Sequence, residues 1–393
     1  MEIYMVLTKQ QKILAFTLTL LTFVMGTSEF VIVGLLSEVA QDLNVSIAAA
    51  GTLVSGFAIA YAVGTPLLTG WVSRFPKYPL MLILIGFFIL GNVVSALTSS
   101  FNVLLTARIL TAAASGVLTA LAMTIASDTM PAAKRSSVIA LIFAGFTIAN
   151  VLGVPLGTFI GQLGSWHLTF WATAALGLVA FIISLFVLPK LKSSGGSSIK
   201  QQLVLFKDPK ILIAFFIPTF SIAGTYAIYT YIAPILEGEL GIASHSVGLV
   251  LLVYGVFSIG SNFLAGKIAS SKGIGHLRYA FIVQALIIAS LFVTMGFTVA
   301  GLISIMLMAI TLYMMNATIQ VYLMDKAEAY STGARDLASS LTPVSVNVGI
   351  TLGSALGGLV VANGSLPYLA LVGGACALIA SVLSFISYNM DKN

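Results

Sequence analysis

Long apolar stretches without charge alternate with short polar segments along the whole chain. Segments 43–73, 78–107 and 279–324 contain no charged residue. Each is longer than the roughly 20 residues that an α-helix needs to cross a bilayer. A membrane β-barrel would instead show segments of about 10 residues with alternating polarity, and the sequence lacks that pattern. The sequence therefore predicts an all-α integral membrane protein.

The apolar stretches divide into twelve predicted transmembrane helices. They cover residues 13–36, 48–72, 79–97, 102–127, 137–160, 167–189, 211–235, 247–269, 279–297, 300–324, 338–360 and 367–388. Segment 190–210 carries five lysines and the run SSGGSS, which is typical of a flexible basic linker. We therefore predict an N-terminal six-helix bundle over 1–189, a cytoplasmic linker over 190–210 and a C-terminal six-helix bundle over 211–393.

The two predicted bundles repeat one another. The sequence GVPLG at 153–157, followed by Gly161, reappears 196 residues later as GITLG at 349–353, followed by Gly357. In membrane transporters built from two such repeats, the substrate site lies near the bilayer midplane between the halves. The repeat therefore predicts a pseudo-symmetric fold that works by alternating access.

Composition and charge agree with a membrane protein. The chain is 59% hydrophobic and 8% charged, whereas a soluble domain is about 25% charged. The net charge of +6 does not indicate nucleic-acid binding, because the basic residues lie singly or in pairs in short loops. If both termini are cytoplasmic, every Lys and Arg except Arg108 falls on the cytoplasmic side, while acids such as Glu38 and Asp42 fall outside. We therefore predict a multi-pass protein of the cytoplasmic membrane.

Two charged residues lie deep in predicted helices. Glu29 is the only charge in 13–36, and Arg108 lies about two turns into the fourth helix. An acidic residue at a helix centre costs roughly 2.5–3.5 kcal/mol on insertion. Both residues lie at similar depth, so a Glu29–Arg108 pair is possible. The pair could couple transport to protons or substrate, or it could only offset its own desolvation.

Several other polar residues at membrane depth are candidates for the substrate cavity. Some would join helices to one another and some would face substrate, and the sequence leaves this choice open. The tyrosines near the end of the seventh helix could equally belong to the interfacial aromatic belt. The candidates are Ser28, Asn150, Tyr226, Tyr229, Asn316, Gln320 and Asn347.

Two further segments are candidates for gating. Pro155 favours a kink in the fifth helix, and Gly153 and Gly157 offer a bare face to a neighbouring helix. Tight packing explains that face as well as gating does. The loop between the second and third helices, with Ser73 and Arg74, is interpreted first as a positively charged cytoplasmic anchor.

The sequence contains no catalytic constellation. It has no glycine-rich nucleotide loop ending in Lys-Ser or Lys-Thr, and its three histidines are scattered. Its single cysteine, Cys376, cannot form an internal disulfide. We therefore expect no enzymatic activity, no cofactor and no metal.

Four segments resemble the Major Facilitator Superfamily. They are TSEF at 27–30 with GLLSE at 34–38, GVPLGT at 153–158, GSW at 164–166 with Phe170, and YTYIAP at 229–234. They are similar to the twelve-helix drug:proton antiporter group, in its sugar-efflux and arabinose-efflux-permease-like branch. The resemblance covers nearly the whole chain.

The chain departs from the family pattern at several positions. The family's loop Gly-x-x-x-Asp-Arg-x-Gly-Arg-Arg keeps only its first arginine here, as Arg74, and Ser73 replaces the aspartate. A charge relay through that aspartate is therefore not expected. In the fourth helix Ala112 replaces a glycine, and His167 replaces a common arginine.

The resemblance implies a proton-coupled efflux transporter, with Glu29 handling the proton and Arg108 modulating it. The expected cargo is a small neutral or amphipathic solute such as a sugar, a nucleoside or a drug like chloramphenicol. The expected partners are this solute, protons and the lipid bilayer, and a monomer suffices. The alternatives are a proton symporter that takes up a polar metabolite and a non-transporting membrane sensor.

Overall fold

The computed structural model describes residues 7–72, 74–191, 207–270, 273–328 and 334–391. Twelve helices of these residues are long and apolar enough to cross a membrane, which confirms the predicted fold class. In chain order, α1 to α12 are Lys9–Asp42, Ile47–Thr69, Lys77–Leu97, Phe101–Thr129, Ser137–Gln162, Trp166–Val187, Pro209–Tyr229, Ser244–Ile268, Ile274–Thr294, Thr298–Leu323, Leu341–Ala362 and Tyr368–Met390. Residues 192–206 of the predicted linker lie outside the described residues.

The first helix is longer than predicted, and it changes type in the middle. It begins with a capping box between Thr8 and Gln11 and runs as an α-helix over Lys9–Phe30. A 3₁₀ segment follows over Val31–Leu35, and a second α-helical segment ends at Asp42. The predicted end at residue 36 marked only the end of the apolar run.

Two other boundaries differ from the prediction for local reasons. The seventh helix ends at Tyr229 rather than near residue 235, because the chain turns at Thr230 before a short helical segment and a π-helical segment, Ile235–Glu239. The ninth helix begins at Ile274 rather than 279, because Gly273 takes a positive φ of 47° and starts it. Arg278 therefore lies in a helix and not in a loop.

The glycine motifs pack helices together inside each half. A methyl group at Gly153 or Gly157 would overlap Thr27 or Val31 of α1, so α5 lies against α1. In the second half, a methyl group at Gly353 would overlap the backbone of Ala223, so α11 lies against α7 in the same way. Each motif thus positions the first helix of its own half.

The two halves pack through α2 against α11 and α5 against α8. We call the end of the bundle that holds the α1–α2 and α7–α8 connections the outer end, and the opposite end the inner end. The side chains at the periphery, such as Phe16, Ile83 and Phe186, are apolar and exposed, as a lipid-facing surface requires. The core lies between the helices and extends across both halves.

Candidate functional site

The candidate site begins where α1 changes from α to 3₁₀ geometry. The change falls directly after Glu29 and Phe30, and the residues on both sides are buried. The hydrogen-bond pattern of the backbone changes where an α-helix becomes a 3₁₀ helix. Some carbonyl groups near the junction therefore need donors from outside the helix. The neighbouring helices must supply them.

Arg108 of α4 supplies these donors. Its Nη1 donates to the carbonyl of Ser28 and its Nη2 to the carbonyl of Glu29, both at 2.9 Å. Its Nε donates to the carbonyl of Leu53 of α2 at 3.2 Å. The guanidinium is 1% exposed and lies 4.8 Å from the centre of the Phe57 ring. Arg108 therefore joins α1, α2 and α4 through the backbone.

The possible ion pair between Glu29 and Arg108 is not formed. Among the described residues, no carboxylate oxygen of Glu29 lies within 4.0 Å of a guanidinium nitrogen. The Oε1 atom of Glu29 is buried and has no hydrogen-bond partner in the described part of the chain. The physical reason is that backbone carbonyls bind the Arg108 donors. The carboxyl group of Glu29 is thus left for another partner.

Three phenol side chains lie in the neighbourhood of Glu29. Tyr61 of α2, Tyr226 of α7 and Tyr313 of α10 all lie within electrostatic range of its carboxylate. Glu29 is 6% exposed. The carboxyl group therefore lies where both halves meet, among rings and hydroxyl groups.

The aromatic side chains extend this region into the second half. Phe30 lies 6.2 Å from Tyr226, Tyr226 lies 5.4 Å from Tyr229, and Tyr229 stacks on Tyr254 at 5.0 Å between ring centres. Tyr226 and Tyr229 are buried, so they are not interfacial belt residues. The Tyr254 hydroxyl is buried without a partner among the described residues. We call Phe30, Tyr226, Tyr229 and Tyr254 the aromatic cluster.

Ser28 joins helices rather than facing a cavity. Its hydroxyl donates to Oδ1 of Asn92 on α3 at 2.8 Å, and both residues are buried. In the second half, Ser221 of α7 and Gln284 of α9 make a similar bond at 2.9 Å. The sequence does show an amide at membrane depth in the third helix of each half, Asn92 and Gln284. It does not show which residues those amides bind.

The four candidate amides occupy two environments. Asn150 and Asn347 are buried, and each donates to the carbonyl four residues earlier, Phe146 at 3.3 Å and Pro343 at 3.1 Å. The Oδ1 of Asn347 has no partner among the described residues. The other two, Asn316 and Gln320, are half-buried on α10. In the described part of the chain, none of the four hydrogen-bonds to Glu29.

The inner-end loop contains an ion pair that the sequence did not predict. Lys77, the first residue of α3, is buried and pairs with Asp128 near the end of α4. Arg74 is exposed and contacts Trp71 through its Nε and its guanidinium, and Ser73 lies outside the described residues. The segment is thus more than a charged anchor, because Lys77 fixes α3 to α4. The one indication of this pair in the sequence is Asp128, an acid at the same end of the bundle as the basic loop.

The backbone before Pro155 departs from regular α-helical geometry. Proline has no amide proton, so it cannot donate to the carbonyl four residues earlier. The preceding residues, Ala149–Gly153, form a π-helical segment in which the amide of Val154 reaches the carbonyl of Ala149. The glycines Gly153 and Gly157 serve packing, and a gating role for this segment stays a prediction.

Tyr231 closes the outer end between the halves. Its hydroxyl donates to the carbonyl of Ser354 on α11 at 2.9 Å. A Cβ atom at Gly51 of α2 would lie 2.7 Å from its Cζ atom, and one at Gly358 would lie 2.9 Å from its hydroxyl. The ring therefore fills a space between α2 and α11 that only glycine leaves open.

The second contact between the halves also depends on glycine. A Cβ atom at Gly255 of α8 would lie 2.6 Å from the Cα of Val151, and one at Gly248 would lie 3.4 Å from the carbonyl of Pro155. Gln162 donates to the carbonyl of Ser244 across the same boundary. The outer end is therefore closed beyond Glu29. No group of three or more potential metal ligands occurs among the described residues.

Comparison with known proteins extends over nearly the whole chain. A family model, Major Facilitator Superfamily, matches residues 18–334. The MFS-type transporter YtbD of Bacillus subtilis is 37% identical, with 94% of each chain covered. A chloramphenicol resistance protein of Streptomyces lividans is 33% identical over 63% of this chain and 64% of its own. A probable sugar efflux transporter of Helicobacter pylori is 28% identical over 96% of each chain.

Solved structures show the same architecture. The crystal structure of the nucleoside transporter NupG matches with a TM-score of 0.74 at 19% identity. The match covers 98% of this chain and 100% of that one. The identity is too low to transfer substrate or mechanism, so the likeness establishes the fold alone.

Proposed function

Because the chain belongs to the Major Facilitator Superfamily, whose members are transporters and not enzymes, we propose that it exports a small solute in exchange for protons. The observation that carries the proposal is Glu29, a carboxylic acid buried between the halves with Oε1 unpartnered among the described residues. Glu29 is the proton-coupling group. Both termini are cytoplasmic, and a monomer is sufficient.

Burial explains how this carboxyl group can link protons to a conformational change. An ionised carboxylate without a partner is costly to bury, and binding a proton removes the charge. Opening either end admits water, which solvates the ionised form. A cycle that alternates the open end therefore takes up a proton on one side and releases it on the other.

Arg108 acts as a positioning residue in this proposal. Its three donors hold the backbone at the α1 junction, so the Glu29 carboxyl group keeps its place between the halves. The guanidinium contacts carbonyls and not the carboxylate, so it leaves the carboxyl oxygens of Glu29 open to a proton, and its positive charge still attracts the ionised carboxylate electrostatically.

The surroundings of Glu29 support a neutral or amphipathic cargo. The aromatic cluster offers apolar ring faces, and the tyrosine hydroxyls near Glu29 supply hydrogen bonds without charge. The names of the relatives point in the same direction, since one is a chloramphenicol resistance protein and another a probable sugar efflux transporter. Chloramphenicol and a set of simple sugars are therefore the first solutes to test.

Proteoliposomes that contain a pH-sensitive dye test the proposal. Solute leaving the lumen through an antiporter draws protons in, so the lumen acidifies, whereas a symporter would make it alkaline. We expect acidification with the wild type and none with Glu29→Gln. The matched control is Glu239→Gln, the same change at an exposed outer-end acid, which should behave as the wild type.

Three outcomes would contradict the proposal. Alkalinisation would favour the symporter. Undiminished acidification with Glu29→Gln would exclude Glu29 as the coupling group. Failure of every solute to move, or to change the thermal stability of the purified protein, would favour a non-transporting sensor.

A further inference from the structure

Arg278 lies one turn into α9 at the inner end, held among three aromatic rings. Its Cζ atom is 4.7 Å from the ring centre of Tyr279, 4.8 Å from that of Phe385 and 4.2 Å from that of Tyr388. Tyr279 and Phe385 also meet edge to face at 5.6 Å. Since α9 and α12 pack side by side, the guanidinium lies at their junction.

We propose that Arg278 and these three rings bind the phosphate headgroup of an anionic phospholipid. The inference is independent of the transported solute and of Glu29. The ligand is defined by its chemistry, which is a phosphate diester with net negative charge attached to acyl chains.

The hydrogen bonds of Arg278 leave its outer fork available. Its Nε donates to the carbonyl of Gly275 at 3.0 Å, and its own carbonyl accepts from Ser381 at 2.7 Å. The two Nη groups have no hydrogen-bond partner among the described residues. A guanidinium held among rings, whose two terminal nitrogens have no partner in the described part of the chain, matches the oxygens of a phosphate in a bidentate arrangement.

The charge of Arg278 is not compensated within the part of the chain that the structure describes. No carboxylate of the described residues lies within 4.0 Å of it, and the nearby acid at the end of α12, Asp391, pairs with Lys210 at 3.6 Å. The inner end is also the end where the sequence concentrates lysine and arginine. An anionic lipid headgroup therefore complements both the residue and its surroundings.

The helix surfaces beside Arg278 fit the acyl part of a lipid. Tyr279, Val283 and Leu286 are 52%, 53% and 66% exposed, and their spacing places them on one face of α9. Leu378 and Val382 are similarly exposed on α12. This apolar surface extends from the guanidinium towards the membrane centre, which a free phosphate ion would not use.

Native mass spectrometry of the purified full-length chain tests the proposal. Phosphatidylglycerol and phosphatidylcholine are added in turn, and the bound fraction is measured against lipid concentration. We expect the wild type to prefer phosphatidylglycerol and Arg278→Gln to weaken that binding about tenfold, as expected for the loss of a charge-assisted hydrogen-bond pair. Arg278→Lys should fall between the two, because it keeps the charge and loses the fork.

The matched control is Arg135→Gln, which removes an exposed arginine near the inner end of α5. It should bind phosphatidylglycerol as the wild type does. Phe385→Leu keeps an apolar side chain and removes one ring, so it should weaken binding severalfold even if Arg278→Gln fails to fold. Glycerol phosphate without acyl chains should not displace the lipid.

Three results would overturn the proposal. The first is wild-type binding by Arg278→Gln. The second is an equal loss in Arg135→Gln, which would mean that any inner-end charge suffices. The third is displacement by glycerol phosphate, which would assign the site to free phosphate esters.

Discussion

The first and second halves of the molecule share a scaffold and differ in charge. Glu29 of α1 corresponds by the 196-residue shift to Thr225 of α7, and Arg108 of α4 corresponds to Ser304 of α10. Thr225 accepts a hydrogen bond from Gln284 at 3.1 Å, and Ser304 accepts one from Thr294 at 3.1 Å. At these two positions the second half carries neutral groups that accept hydrogen bonds, whereas the first half holds a buried cation and an acid with an unpartnered oxygen among the described residues.

The difference assigns separate tasks to the two halves. The first half carries Glu29, the proposed proton-coupling group. The second half carries Tyr231, which fills the space between α2 and α11 at the outer end. The charge of Glu29 and the closure of the outer end by Tyr231 can therefore be altered separately. Variants in the two halves should have distinct effects.

The largest expected effect follows removal of Arg108. Arg108→Leu leaves three buried carbonyls without their side-chain donor, and each unsatisfied buried acceptor costs roughly 1–3 kcal/mol. We expect a loss of about 3 kcal/mol or more in stability, measured as reduced folded yield and a lower melting temperature in detergent.

Two variants test whether this effect belongs to the charged half. Arg108→Lys keeps the charge but cannot reach three carbonyls, so about half of the loss should remain. Ser304→Ala at the corresponding position should cost only about 0.6 kcal/mol, the mean for hydrogen bonds between membrane helices. Equal losses for Arg108→Leu and Ser304→Ala would contradict the comparison.

Much of the scaffold could be predicted from sequence because it depends on local composition. Apolar run length located all twelve helices, and the repeated glycine motif indicated two matched halves that pack alike. Depth along a helix also placed Glu29 and Arg108 near each other. These features need no knowledge of which side chains touch.

The remainder depends on contacts that periodicity does not encode. The change of helix type after Phe30 carries no sequence signal, so the carbonyls that bind Arg108 could not be foreseen. The buried pair of Lys77 and Asp128 joins residues 51 positions apart. Tyr226 and Tyr229 resemble belt residues in sequence, and only the packing of α7 against its neighbours buries them.

A smaller effect is expected from closing the space for Tyr231. In Gly51→Ala the added methyl group would overlap the Tyr231 ring, and such overpacking costs about 1–3 kcal/mol. The cost applies only when the outer end is closed, so the variant should populate an open outer end. Spin labels at positions 41 and 239, in a Cys376→Ser background, should report a longer distance component.

The matched control for this variant is Gly86→Ala on α3. A methyl group at Gly86 meets no other atom within 4 Å, so the distance distribution should stay as in the parent protein. An unchanged distribution in Gly51→Ala would show that closure does not depend on this contact. A longer distance in both variants would point to a general loss of packing.

The smallest effects, and the ones that separate the halves most directly, come from Glu29 and Thr225. Thr225→Val removes an acceptor from Gln284 and should lower stability by about 0.6–1 kcal/mol. Glu29→Met replaces an unpartnered buried acid by an apolar side chain of similar length, so it should raise stability by about 1 kcal/mol. Melting temperatures should therefore shift in opposite directions, while only Glu29→Met abolishes proton movement. If both variants lower the melting temperature, Glu29 has a stabilising partner, and the charge of the first half is structural.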